Sequence, residues 1–292
     1  MGKFRLRGRR RRKRSEFGSA ENIPVRAIVP NLVTSLAACA GITSISLSSE
    51  GRFVPALMAL LIACICDGMD GRIARLLKAS SKLGAELDSL ADFVNFGVAP
   101  AMFMYFWLTG GPLHMMGETP VAPEVVRLAL GCSLFYALCD CFRLARFNTM
   151  LEQPPLPYWK HFFTGVPAPG GCWMVLTPAL MALAPNFKEN FPALEQFLRN
   201  PWFGMFMLVF VGMLMASRLP TISLKAVKIP RKFLLPVMAA LLLLVVPMLV
   251  NFWLTLGVVG MLYILTVPMT SAIFVKIRSS YEGGLTSMPK KG

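Results

Sequence analysis

Apolar runs long enough to cross a lipid bilayer recur from about residue 31 to residue 275, and they leave this chain few folds. A backbone buried in lipid must satisfy its own hydrogen bonds, so such runs become helices or the strands of a closed barrel. Barrel strands would read as alternating segments of about ten residues, and the sequence has none. Of the 292 residues 55% are hydrophobic and only 15% charged, which excludes an ordinary soluble domain. The expected fold is all-α: a polytopic transmembrane helical bundle of about eight spans. They fall at 29–47, 53–69, 86–108, 125–144, 168–184, 202–217, 234–250 and 253–274.

The formal net charge of +15 is distributed as membrane topology requires. Residues 3–14 are a basic run with no hydrophobic core directly attached, which does not fit a cleavable signal peptide. A basic, flexible arm over residues 1–26 would be drawn to anionic membrane lipids, and nucleic acid is not an expected partner. Loop 70–85 carries Arg72, Arg75, Lys78 and Lys82, and loop 218–233 has five basic residues and no acid. Loop 145–167 has Arg146, Lys160 and His161 against Glu152, whereas loop 109–124 has only Glu118 and Glu124. Every second loop is basic, so the positive-inside rule puts both termini on the cytoplasmic side. The seven cysteines form no CxxC pair and there are only two histidines, so disulfide, zinc and haem chemistry fall away.

The chemistry concentrates between Asp67 and Asp92, where four aspartates lie within 26 residues. Residues three or four apart share a helix face, so Asp67, Asp70, Gly71 and Ala74 line one face and Gly84, Asp88 and Asp92 another. Two facing helices would present four carboxylates to one space edged by small residues. Like charges at that density need cations, and hard oxygen donors suit Mg²⁺, Mn²⁺ or Ca²⁺. Two such ions about 4 Å apart would clamp a pyrophosphate. Gly71, Ala74 and Gly84 would let a bulky group approach the backbone, Arg75 would reach phosphate oxygens, and Asp92 is the natural base for a hydroxyl. An ion transporter is the rival from another class, but it would place polar or broken helices near the midplane. These aspartates cluster at helix ends instead.

The stretch DGMDGRIARLLKASSKLGAELDSLAD resembles the signature of the CDP-alcohol phosphotransferase family, D-x2-D-G-x2-A-R-x8-G-x3-D-x3-D, at every fixed position. The resemblance implies that CMP is displaced from a CDP-linked substrate by an alcohol. It implies Asp67, Asp70, Asp88 and Asp92 as ligands of two divalent cations, Mg²⁺ or Mn²⁺, with Asp92 also the catalytic base. Gly71, Ala74, Arg75 and Gly84 become the nucleotide surface, and a homodimer is implied.

Four further stretches are similar to the phosphatidylserine synthase branch: Val29–Thr34, Arg143–Asn148, Phe163–Pro169 and Pro220–Lys225. They imply CDP-diacylglycerol and L-serine as substrates. Asn31 and Thr34 join the nucleotide site, and Arg143, Arg146 and Asn148 hold the serine carboxylate or a phosphate. Arginine grips either group bidentately, and the two arginines share a helix face. Asp140, one turn before Arg143, is expected to pair with it. Choline is the closest rival acceptor, through a cage of Tyr136, Phe142, Phe147, Tyr158 and Trp159. The expected organisation is a basic arm (1–26), a catalytic membrane domain (27–232), two further transmembrane helices (233–275) and a cytoplasmic tail (276–292). The expected location is the inner membrane of a bacterium, with the site on the cytoplasmic face.

Overall fold

Each of the eight apolar runs is helical. The computed structural model describes residues 25–79, 81–111, 121–150, 162–217, 219–222 and 234–286. The basic arm, His114, Tyr158, Trp159, His161, most of loop 218–233 and the end of the tail lie outside them. In chain order the helices are α1 (Val25–Ser49), α2 (Phe53–Leu76), α3 (Lys82–Asp92), α4 (Ala99–Thr109), α5 (Pro123–Met150), α6 (Ala168–Ala182), the short α7 (Phe187–Asn190) and α8 (Pro192–Leu198), α9 (Pro201–Ala216), α10 (Leu234–Val250) and α11 (Phe252–Thr286). A π-helical segment, Phe93–Val98, joins α3 to α4.

The fold is all-α but for one small ribbon. Strand β1 (Phe162–Thr164) pairs antiparallel with β2 (Pro220–Ile222), Phe163 opposite Thr221. The ribbon ties the segment before α6 to the segment after α9. Gly165, at φ +80°, makes the turn beside it, where a Cβ would fall 2.7 Å from the Met215 carbonyl oxygen. Arg146 reinforces the same junction by donating to the carbonyls of Ala216 (2.7 Å) and Ser217 (3.0 Å) at the end of α9. The basic loops after α5 and after α9 therefore start from one end of the bundle, as the charge pattern requires.

Helix α6 is the centre. It carries no charged residue and no polar face, and nearly all its side chains are buried, as expected of a helix surrounded by others. Small residues permit close approach: a Cβ at Gly171 would overlap Met215 of α9, and one at Gly257 or Gly260 of α11 would overlap Met181 or Thr177 of α6. Trp173 Nε1 donates to the Leu256 carbonyl at 3.0 Å. Helix α11 is thus built into the bundle, whereas α10 meets chiefly α11 and leaves Leu235, Leu243, Leu249 and Val250 exposed.

Among the described residues four helices are long and apolar enough to cross a bilayer: Ile28–Ser49, Phe53–Leu76, Pro123–Thr149 and Phe252–Thr270. Helices α8 and α9, bent by 57° at their junction, make a fifth if taken as one span. The other expected spans are 15 residues in α6, 17 in α10, and a run divided by the π segment. Two tryptophans near the ends of apolar helices serve packing. Trp107 and Trp253 are buried; Trp107 sits against Phe53 and Phe103, with the Arg199 guanidinium 4.7 Å from its ring centre. Trp202 stays exposed.

The π segment follows directly on Asp92. Its i→i−5 pattern, Ala99 N–H to the Val94 carbonyl, displaces carbonyls from α-helical register. Fully buried Tyr136 of α5 donates its hydroxyl at 3.0 Å to the Phe96 carbonyl, whose residue four on, Pro100, has no N–H to offer. Tyr136→Phe should lower stability by about 1–3 kcal/mol, since an acceptor is left buried and unpaired. A lower melting midpoint in detergent, with faster amide exchange confined to 93–99, is the expected result.

Candidate active site

The site forms where α2 ends and α3 begins, with α1 packed across both. Asp67 and Asp70 lie in the last three turns of α2, and Asp88 and Asp92 in the last turns of α3. The intervening turn is closed by Ser81, whose hydroxyl accepts from Gly84 N–H at 3.0 Å and caps α3. Gly84 lets α3 come close to α1, because a Cβ there would lie 2.9 Å from Asn31 Oδ1 and 3.1 Å from Ser81 Oγ.

One carboxylate oxygen from each of Asp67, Asp70 and Asp88 lies within 4.8 Å of the other two. Asp92 approaches Asp67 within hydrogen-bonding reach. The two faces read from helical spacing do meet. Asp70 is buried and fixed: Thr34 Oγ1 of α1 lies 2.5 Å from its Oδ2, and the Gly71 amide 2.5 Å from its Oδ1. Asp67 Oδ1 is buried with no hydrogen-bond partner among the described residues.

No described lysine or arginine forms an ion pair with any of the four. The ion pairs among the described residues are Arg52–Glu50, Arg127–Glu124, Arg143–Asp140 and Arg199–Glu195. Arg143 of α5 is near enough to Asp92 to attract it electrostatically. Converging hard oxygen donors, one of them buried and unpartnered, fit a divalent cation of the Mg²⁺ or Mn²⁺ kind.

Beside the carboxylates a cleft of about 160 Å³ opens. Its walls are Pro30, Asn31 and Thr34 of α1, Asp70, Gly71 and Ala74 of α2, and Gly84, Ala85 and Asp88 of α3, with Ala79 and Ser81 from the turn. Five of the six residues expected on the nucleotide surface line this cleft. Arg75 does not: it is exposed, one residue and so about 100° around the helix from Ala74. Ala79, Ser81 and Ala85 were not anticipated, although the small residues of Ala-Ser-Ser before Lys82 and a Ser three residues ahead of Gly84 are visible signals. A Cβ at Gly71 would meet nothing within 4 Å, so packing within the chain does not demand glycine there. Gly71 faces the open cleft.

The expected acceptor group is only partly assembled. Arg143 Nε donates to Asp140 Oδ1 at 3.3 Å, the pair expected from their spacing. Arg146 does not share Arg143's role, since its guanidinium is engaged by the α9 carbonyls, which lack helical partners. Asn148 Nδ2 donates to Ser89 Oγ at 3.0 Å and ties α5 to α3. Of the expected aromatic cage, Tyr136 is buried on the π segment and Phe142 is 65% exposed, while Tyr158 and Trp159 lie outside the described residues.

A family model described as CDP-alcohol phosphatidyltransferase matches residues 27–198, more than half of the chain. The chain belongs to the CDP-alcohol phosphatidyltransferase family. That makes it a membrane-embedded transferase of phospholipid metabolism with a metal-binding acidic site. Among curated relatives, the CDP-diacylglycerol–serine O-phosphatidyltransferase of Mycobacterium tuberculosis (strain H37Rv) is 36% identical over 215 residues, 73% of this chain and 68% of the relative. That of Mycobacterium leprae is 35% identical over 242 residues, 82% and 73% respectively. That of Helicobacter pylori (strain J99) is 33% identical over 201 residues, 69% and 74%.

In a CDP-alcohol phosphatidyltransferase the open space at Gly71 has a direct test. Gly71→Leu should leave the melting midpoint in detergent unchanged or raised, since leucine is the better helix former. Stabilisation of the same protein by CMP with Mn²⁺ should weaken by at least about tenfold in CMP concentration, because the cleft is filled. Unchanged CMP stabilisation would mean that the cleft is not the nucleotide site.

Proposed function

We propose that the protein transfers the phosphatidyl group of CDP-diacylglycerol to the hydroxyl of L-serine, giving phosphatidylserine and CMP. The observation that carries the transfer reading is the meeting of a carboxylate cluster, lacking any ion pair to the described residues, with a cleft whose glycine leaves room for a ligand. The choice of serine rests on the relatives, which bear that activity's name.

On this reading Asp67, Asp70 and Asp88 hold divalent cations, with Asp92 completing the set for a second ion. When bound, these ions neutralise the diphosphate and the charge gathering on departing CMP. Asn31, Thr34, Gly71, Ala74 and Gly84 seat the nucleotide against the backbone. The acyl chains stay among the apolar helices, reaching the site from the side. Asp92 takes the hydroxyl proton of serine as its oxygen forms a bond to the β-phosphorus. The bond to the CMP oxygen breaks, and CMP leaves with the electron pair. Arg143, drawn toward Asp92, is the acceptor-side cation. Arg146 and Asn148 keep α5 in place for it. No covalent enzyme intermediate is needed for a single displacement.

The basic loops favour a cytoplasmic site and cytoplasmic termini, an eight-span bundle and, by family resemblance, a homodimer in a bacterial inner membrane. Choline is disfavoured because Tyr136 is committed to the π segment.

Purified protein should release CMP from CDP-diacylglycerol with Mn²⁺ or Mg²⁺ when serine is supplied, and far less with choline, glycerol 3-phosphate or inositol. Asp92→Asn should reduce turnover by at least about 10²-fold, the usual scale of a lost general base, without loss of folded protein. Release driven equally by another alcohol would overturn the serine assignment. Full activity of the Asp92 variant would overturn its role as base.

A further inference from the structure

One ion pair in the bundle lies outside the carboxylate cluster yet beside it. Asp140 is fully buried in α5, the side chain of Arg143 is only 12% exposed, and Arg143 Nε meets Asp140 Oδ1. Burying both charges costs more than their attraction returns in many proteins, so stability is a weak reason for the pair. Charged groups at membrane depth point instead to function.

The geometry around the pair is specific. Asp140 faces the π segment at Gly97, where a Cβ would lie 2.8 Å from Asp140 Oδ2, so the glycine makes room for the carboxylate. Asp140 engages Arg143 by Nε, the inner edge of the guanidinium. The two Nη groups make no hydrogen bond among the described residues, and the guanidinium is close enough to attract Asp92. The cation is thus held by a buried anchor and acts electrostatically on Asp92. Arg146, one turn on, uses its own Nη groups on backbone carbonyls and cannot substitute.

We propose that Asp140 is a positioning residue: it grips Arg143 by Nε, in a niche opened by Gly97, so that the two Nη groups hold a substrate oxyanion beside Asp92. The oxyanion is the carboxylate of the acceptor or the diphosphate of the CDP-lipid, each of which offers a pair of oxygens that the planar guanidinium can grip bidentately. The inference rests on reading the aspartate cluster as the transfer site.

The test is steady-state kinetics of CMP release by the full chain in detergent, varying serine and CDP-diacylglycerol separately, with the melting midpoint measured on each variant. Asp140→Asn keeps the shape and removes the charge. It should raise the KM of one substrate about tenfold while kcat changes by less than about threefold. A rise for serine assigns the Nη groups to the carboxylate; a rise for CDP-diacylglycerol assigns them to the diphosphate. Arg143→Lys should reproduce that change, and Asp140→Asn added to it should cost no more, because lysine has no Nε to be held. Gly97→Ala, which crowds the carboxylate without changing a charge, should raise the same KM and serves if Asp140→Asn fails to fold. Unchanged KM values, a loss confined to kcat or melting midpoint, or additive effects in the double variant would overturn the proposal. An unaltered protein that releases no CMP with any alcohol would overturn the transfer reading itself.

Discussion

Three carboxylates, of Asp67, Asp70 and Asp88, put oxygens within 4.8 Å of one another at the ends of apolar helices, with Asp92 beside Asp67, and their mutual repulsion is the constraint this site has to answer. Unit charges 4 Å apart at a protein surface interact by about 4 kcal/mol, and the described residues offer no ion pair to offset it. The arrangement becomes favourable when cations from solution enter the cluster. What the chain supplies is geometry: Thr34 fixes Asp70, Ser81 starts α3 in the right place, and Gly84 lets α3 approach α1. The chain also supplies a cleft beside the carboxylates, in which the proposed nucleotide would lie.

A second set of contacts secures α5 against α3 and the π segment. The rod that carries Asp92 passes into a π segment, and α5 secures that irregularity with Tyr136. The end of α5 is then tied twice, by Arg146 to α9 and by Asn148 to α3. Between these ties sits the Asp140–Arg143 pair. The helices behind the site are packed through small residues around α6, and such a framework can hold charged side chains to a narrow range of positions.

Much of this was legible in the sequence because its period is physical. Apolar runs located the helices, and spacings of three and four put Asp67, Asp70 and Asp88 on faces that meet. What escaped depends on partners distant in sequence. Arg146 looks like a ligand-binding arginine until its acceptors, some 70 residues away, are known. Arg75 keeps its place in the motif but turns away from the cleft by one helical step. The π segment leaves no trace in hydrophobicity, and apolar helices of 15 to 17 residues do not by themselves reveal whether they cross a membrane or lie within a bundle. The burial of Trp107 likewise needs Phe53, Phe103 and Arg199 in view.

The central claim is that the aspartates form a cation site serving nucleotide chemistry. Electron paramagnetic resonance of Mn²⁺ titrated into the detergent-solubilised protein, with and without CMP, tests it most directly. A cation site of this kind should give saturable Mn²⁺ binding that tightens when CMP is present and is lost or greatly weakened in Asp88→Asn. Mn²⁺ that remains free in solution, or binding indifferent to both CMP and Asp88→Asn, would contradict it.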